Sequence, residues 1–221
     1  MQEQVLIHQE QVIVSATNAQ RVLRNTYLLL AMTLVFSAMM AGLAMTLNIG
    51  FLSPLLTIGI YFGLLFATSK TQESGWGLLW VFALTGWLGF TLGPVINVYM
   101  ATTAGSQLVL LALAGTATIF FGLSAVALVT RKDFSFLTQF IMVGVLVGFV
   151  AALANLFLQV SGLHLAISCM FLLLSSAMIL WQTSAIIHGG ETNYISATVG
   201  LYVSIYNLFF SLLSLLGFVD D

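Results

Sequence analysis

The side chains of this chain that could do chemistry are few, and almost all of them are neutral. Toward the C-terminus, Ser196, Gly200, Ser204, Asn207, Ser211 and Ser214 recur at spacings of four, four, three, four and three, and upstream Ser168, Ser175 and Gln182 recur at seven. Each series lies on one narrow stripe of a helix, so the two faces can meet as a seam joined by interhelical hydrogen bonds or line a polar cavity. Asn97, Asn155 and Gln159 are read as hydrogen-bonding between helices. His164 is a lone histidine at the start of the sixth apolar run, at the outer interface. His188-Gly-Gly-Glu191 supplies two metal-type ligands, too few for a site, and its glycines fit a turn.

What is missing excludes more than what is present suggests. With the apolar runs given below, no Asp, Glu, Lys or Arg falls inside one. Ionisable groups at membrane depth are costly and usually functional. Their absence excludes an intramembrane aspartyl protease, a lysine Schiff base and a carboxylate proton relay. A His-Glu-x-x-His metalloprotease motif is also missing. The residues offer no catalytic constellation and no set of cofactor or metal ligands, so the chain is read as a non-enzyme. Five basic residues cannot form a nucleic-acid surface. The single cysteine, Cys169, cannot form an intrachain disulfide.

The elements that position these residues follow from composition. Of 221 residues, 60% are hydrophobic and 5% charged, against about 25% charged in soluble domains. Seven apolar runs, at roughly 26–47, 51–68, 76–99, 108–129, 136–159, 163–186 and 194–218, are long enough to cross a hydrocarbon core at about 1.5 Å per residue. Lipid offers no partner to a free N–H or C=O, which forces helices. The expected fold is an all-α integral membrane protein with seven transmembrane helices over 26–221. Residues 1–25, polar and Gln-rich, are expected to be a flexible cytoplasmic tail.

Arg21, Arg24, Lys70, Arg131 and Lys132 all fall on one side of a thread that crosses seven times. The positive-inside rule then places the N-terminus in the cytoplasm and the C-terminus, ending in Asp220 and Asp221, outside. Trp76, Trp80 and Trp181 fall near the cytoplasmic interface. Gly59-x-x-x-Gly63, Gly89-x-x-x-Gly93 and Gly144-x-x-x-Gly148 are expected packing faces, and Gly93-Pro94 is expected to kink or break its helix.

Several segments resemble the Bax inhibitor, or transmembrane Bax-inhibitor-motif, family. These are Arg24-Asn-Thr-Tyr27-Leu-Leu-Leu, then Phe121-Gly-Leu-Ser running to Thr130-Arg-Lys-Asp-Phe-Ser135, then His188-Gly-Gly-Glu-Thr-Asn-Tyr-Ile195 and Leu201-Tyr-Val-Ser-Ile-Tyr-Asn207-Leu-Phe. The resemblance covers nearly all of the chain after residue 20. It implies six helices around a central seventh and a bacterial inner-membrane location. It also implies two functions. In one branch the proteins are substrates and modulators of FtsH, the membrane-anchored ATP-dependent protease, with its membrane-bound regulators as further partners. Residues 1–20, beginning Met1-Gln2-Glu3-Gln4-Val5, are the candidate segment for that protease to grip. In the calcium-leak branch, two Asp residues near the end of span six and in span seven share a proton as a latch. Those positions here match Gln182 and Ser204, which cannot ionise, and this weakens the case for calcium or protons as cargo. Gln182, Ser204, Asn207 and Ser211 remain the candidate polar-core positions.

Overall fold

A computed structural model describes the backbone of residues 2–220 and the side chains of residues 17–218. Among them are seven helices and no strand: α1 (Gln2–Thr46), α2 (Pro54–Thr71), α3 (Trp76–Met100), α4 (Gly105–Thr130), α5 (Leu137–Leu158), α6 (Ser161–Ile187) and α7 (Tyr194–Asp220). Met1 lies outside the described residues, and so do the side chains of Gln2, Glu3, Gln4 and Val5.

The first helix departs from the sequence reading. Where a structureless tail was expected, α1 continues back to Gln2 as one helix of 45 residues. The reason lies in the composition. Residues 2–25 contain no Gly or Pro, and the good helix formers Gln, Glu, Leu, Ala and Arg make up just over half of them, offsetting four Val and two Ile. Nucleation is the costly step of helix formation, and the apolar span that follows has already made it. At Gly93-Pro94 the helix is not broken, since α3 runs on through Pro94.

Among the described residues, six helices are long and apolar enough to cross a membrane: Thr17–Thr46 within α1, Trp76–Met100, Gly105–Thr130, Leu137–Leu158, Ser161–Ile187 and Tyr194–Phe218 within α7. α2 falls short of them. It has 18 residues, and Ser69, Lys70 and Thr71 make its last turn polar.

α7 is the centre of the bundle. It packs against α1, α3, α4 and α6, which also pack on one another in that cyclic order. α2 rests on α3 and α5 rests on α6, and the two outer helices meet where Phe62 and Phe149 stack edge to face at 5.8 Å. Half of the α7 span is buried, against about a tenth of the α5 span. Phe140, Met142, Val143, Leu146, Val147 and Val150 of α5 are exposed, as suits a helix that is apolar all round and faces lipid.

Small residues let the inner helices approach. At Gly89 on α3, an added Cβ would run into the backbone carbonyl and hydroxyl of Ser37 on α1. At Gly93 it would meet Ala44 of α1. Gly144 and Gly148 of α5 receive Leu174 and Phe171 of α6. The Gly59-x-x-x-Gly63 face is different, with nothing within 4 Å of either position.

Candidate functional site

The end of the bundle that carries the basic residues is closed by two side-chain hubs. Ser184, near the end of α6, donates from Oγ to the Lys132 carbonyl at 3.1 Å and accepts from the Phe134 N–H at 3.1 Å. It thereby clamps the α4–α5 loop onto α6. The His188 ring turns back on the same helix end, with Nδ1 2.9 Å from the Ser184 carbonyl. Asn193 begins α7: its Oδ1 accepts from the N–H of Ile195 at 2.9 Å and of Ser196 at 3.3 Å, as a helix N-cap does. Its Nδ2 donates to the Gln72 carbonyl of the α2–α3 loop at 3.0 Å. Glu191 accepts from the Asn193 N–H and the Ser196 hydroxyl, each at 2.8 Å. His188 and Glu191 are thus both used in closing helices, and no cluster of three metal-ligating side chains occurs among the described residues. In the exposed α4–α5 loop, the N–H of Ser135 bonded to Asp133 holds that carboxyl below the usual carboxylate range.

Deeper in, the α6–α7 seam brings two candidate positions together across Gly200. An added Cβ there would lie 2.8 Å from Oε1 of Gln182, so the amide of α6 lies directly on the α7 backbone. Ser204 Oγ donates to the Gly200 carbonyl at 2.8 Å. Both Gln182 and Ser204 are buried. Gln182 Nε2 is buried without a hydrogen-bond partner, at a cost of about 1–3 kcal/mol. Replacing the amide by an apolar group of similar shape removes that cost. Gln182→Leu is therefore expected to keep or raise the unfolding temperature of the detergent-solubilised protein, and a fall of more than a few degrees would contradict this packing.

Asn207 and Ser211 lie elsewhere, on a cavity of about 340 Å³ between α5, α6 and α7, which they share with Asn155, His164, Ser168 and Tyr206. Ser168 Oγ donates to the His164 carbonyl at 3.0 Å. Asn155 accepts from the Val160 N–H at 3.1 Å, so it closes the end of α5 rather than bridging two helices. Gln159 is the α5 C-cap, in the left-handed conformation at φ 51°. Asn97 does bridge helices, donating to the Met45 carbonyl at 3.2 Å. The four candidate positions therefore split into a closed layer at Gln182 and Ser204 and a cavity wall at Asn207 and Ser211.

The sequence reading missed the polar centre formed by Tyr202. This residue, 2% exposed, donates to the Thr85 carbonyl of α3 at 3.0 Å. With its proton so used, its oxygen accepts from the Ser37 hydroxyl of α1. Tyr206 also reaches α3: with the Thr91 hydroxyl donating to the Leu88 carbonyl, the Tyr206 hydroxyl donates to Thr91 Oγ1 at 3.3 Å. The available signal was a Tyr pair four residues apart on a helix rich in small residues, which places both hydroxyls on one face.

Residues 19–221 match the family model described as inhibitor of apoptosis-promoting Bax1. An uncharacterized protein of Pseudomonas aeruginosa is 54% identical over 196 residues, covering 89% of this chain and 88% of that protein. The Escherichia coli K12 protein named modulator of FtsH protease YccA is 50% identical over 206 residues, covering 93% of this chain and 94% of its own length. The same figures hold for a protein of Escherichia coli O6:H1 named inner membrane protein YccA.

Proposed function

This chain belongs to the Bax inhibitor family, and from that premise we propose that it is a non-enzymatic regulator of the FtsH protease in the bacterial inner membrane. In this reading it binds the protease, is itself degraded, and slows the turnover of other membrane proteins. The observation that carries the proposal is the 50% identity, over nearly the whole of both chains, to a relative named as a modulator of that protease. The physics agrees with it. A processive protease needs a segment to grip in the cytosol, and residues 1–20 lie ahead of the apolar run that begins near residue 26. The body behind them must be pulled from lipid against a bundle whose inner helices are bonded through Tyr202 and Tyr206. A substrate that is gripped but slowly extracted occupies the enzyme. The test is co-purification with catalytically inactive FtsH from intact membranes, and recovery no greater than that of an unrelated multi-pass protein would refute the proposal.

The mechanism needs the N-terminus in the cytoplasm, and the basic residues at one end of the bundle support that orientation. With α2 crossing, at about 27 Å for 18 residues, the thread is odd and the C-terminus lies in the periplasm. Alkaline phosphatase fused after Asp221 should then be active and a cytoplasm-requiring fluorescent protein dark at the same position. The reverse pattern would mean that α2 lies on the membrane instead of through it.

A second reading, an ion leak for calcium or protons, is favoured by the cavity at Asn207 and Ser211, which begins one turn beyond Ser204. Gln182 and Ser204 carry no titratable group, so with His164 of the cavity replaced by Asn, any leak should not vary with pH between 5 and 8. The pair Gln182→Asp with Ser204→Asp should introduce such dependence in reconstituted liposomes. Flux equal to that of protein-free vesicles for both proteins would remove this reading.

A further inference from the structure

The cavity between α5, α6 and α7, which the leak reading takes as an ion path, is lined by groups that suit a different occupant. Ser211 is 97% buried, at 3% exposure, and its hydroxyl lines the cavity without a hydrogen bond to any described residue. Serines elsewhere in these helices, such as Ser168, Ser176 and Ser204, donate to the carbonyl four residues earlier. The Asn207 amide faces the same cavity and likewise makes no hydrogen bond within the described residues. Opposite them stands Ser168, 4% exposed, with oxygen lone pairs left after its one donation. Ser211 is a buried residue and Asn207 a half-buried one, and two polar side chains left unpaired beside one space offer it hydrogen bonds that the protein does not use.

The class of ligand follows from what lines that space. No Asp, Glu, Lys or Arg reaches it. A charge placed there would lose its hydration and meet no Asp, Glu, Lys or Arg, with only His164 at the mouth, which argues against divalent cations and against a phosphate headgroup deep in the space. The remainder of the wall includes Phe171, Phe210 and Ile167, suited to an apolar body. The depth fits an amphiphile. Ser168 lies about 10 Å from the start of α6, and Ser211 about 14 Å from the end of α7, at 1.5 Å per residue. Both helix ends are at the face without basic residues, with His164 exposed at the mouth. α5 packs on α6 and stands off α7, and Phe157 and Leu158 beside it are exposed, giving an apolar lip toward the bilayer.

We propose that this cavity binds an uncharged amphiphile carrying hydroxyl and ester or carbonyl oxygens, of neutral acylglycerol type, drawn from the adjoining leaflet. Ser211 and Asn207 donate to its oxygens and the aromatic wall takes the first methylenes of its chain. The same hydrogen-bonding chemistry could be met by a free polyol from water, and the test separates the two sources.

The full-length protein carrying Cys169→Ser is given a single cysteine in the wall by Ser211→Cys or, separately, Ser168→Cys. Labelling by N-ethylmaleimide in detergent is timed with and without the probes monooleoylglycerol, glycerol and dioleoylphosphatidylglycerol. Monooleoylglycerol is expected to slow labelling of either wall cysteine at least tenfold, while glycerol and the anionic lipid leave the rate within twofold. Phe121→Cys, on an exposed face, should label at one rate throughout. Adding Asn207→Leu to the Ser168→Cys protein should abolish the protection. Protection by glycerol at equal concentration would overturn the amphiphile, and equal protection by phosphatidylglycerol would overturn the requirement for neutrality. Unchanged rates with all three probes, in variants that keep the parent's unfolding temperature, would overturn the site itself. None of these outcomes depends on whether FtsH is bound.

Discussion

Gly89→Leu should leave almost no folded protein in the membrane, whereas Gly59→Leu should leave its amount unchanged. The two glycines belong to the same kind of motif but meet different surroundings. Any side chain at position 89 runs into the main chain of α1 at Ser37, and a backbone atom cannot swing aside as a rotamer can. α1 and α3 must separate. The Ser37 hydroxyl then leaves Tyr202, and the buried phenol loses a partner in the same event. Overpacking alone costs about 1–3 kcal/mol, and stranding a buried polar group adds about 1–3 more. Their sum is a large share of a typical stability of about 5–15 kcal/mol. At Gly59 nothing lies within 4 Å, and a leucine there meets only lipid. Fluorescence-detected size exclusion of fusion proteins measures both. At least a fivefold loss of the monodisperse peak is expected for the first variant, and equal losses for the two would mean that α1 and α3 do not pack as described.

Removing residues 2–20 should lengthen the protein's half-life in cells with active FtsH several-fold and reduce its recovery on inactive FtsH about tenfold. The helical N-terminus adds a condition. If the protease must first unwind α1 ahead of the span, loosening that helix should speed its capture. Proline inside a helix costs about 3 kcal/mol, so Gln9→Pro should shorten the half-life where the deletion lengthens it. Opposite signs from two changes in one segment cannot come from a general loss of stability. Pulse-chase in strains with and without active protease supplies the measurement. A deletion that is degraded at the parental rate would show that the grip lies elsewhere in the chain.

Much of this molecule was legible in order of residues alone. A core of lipid imposes one local rule, that every backbone group be satisfied within its own segment. Length and apolarity therefore marked the helices without any knowledge of their neighbours. The same local logic identified the polar stripe on α7, because a period of three and four is a property of one helix. The turn reading of His188 to Glu191 has the same origin, since glycine and a capping residue act over a few positions.

The tertiary structure decided everything that depends on which face meets which. Three glycine pairs read alike in the sequence, yet the one on α2 touches nothing, because α2 presents that side outward. One stripe of small polar residues divides into a closed layer at Gln182 and Ser204 and a cavity at Asn207 and Ser211, because α6 stays against α7 while α5 stands off it. The central tyrosines carried no strong signal, since a phenol in a greasy helix is as often at an interface as in a core. Only the convergence of α1 and α3 on α7 turned Tyr202 into the bond that joins all three. Helix formation is satisfied inside a segment and can be read from it. Packing is a property of pairs of surfaces, and no single segment contains it.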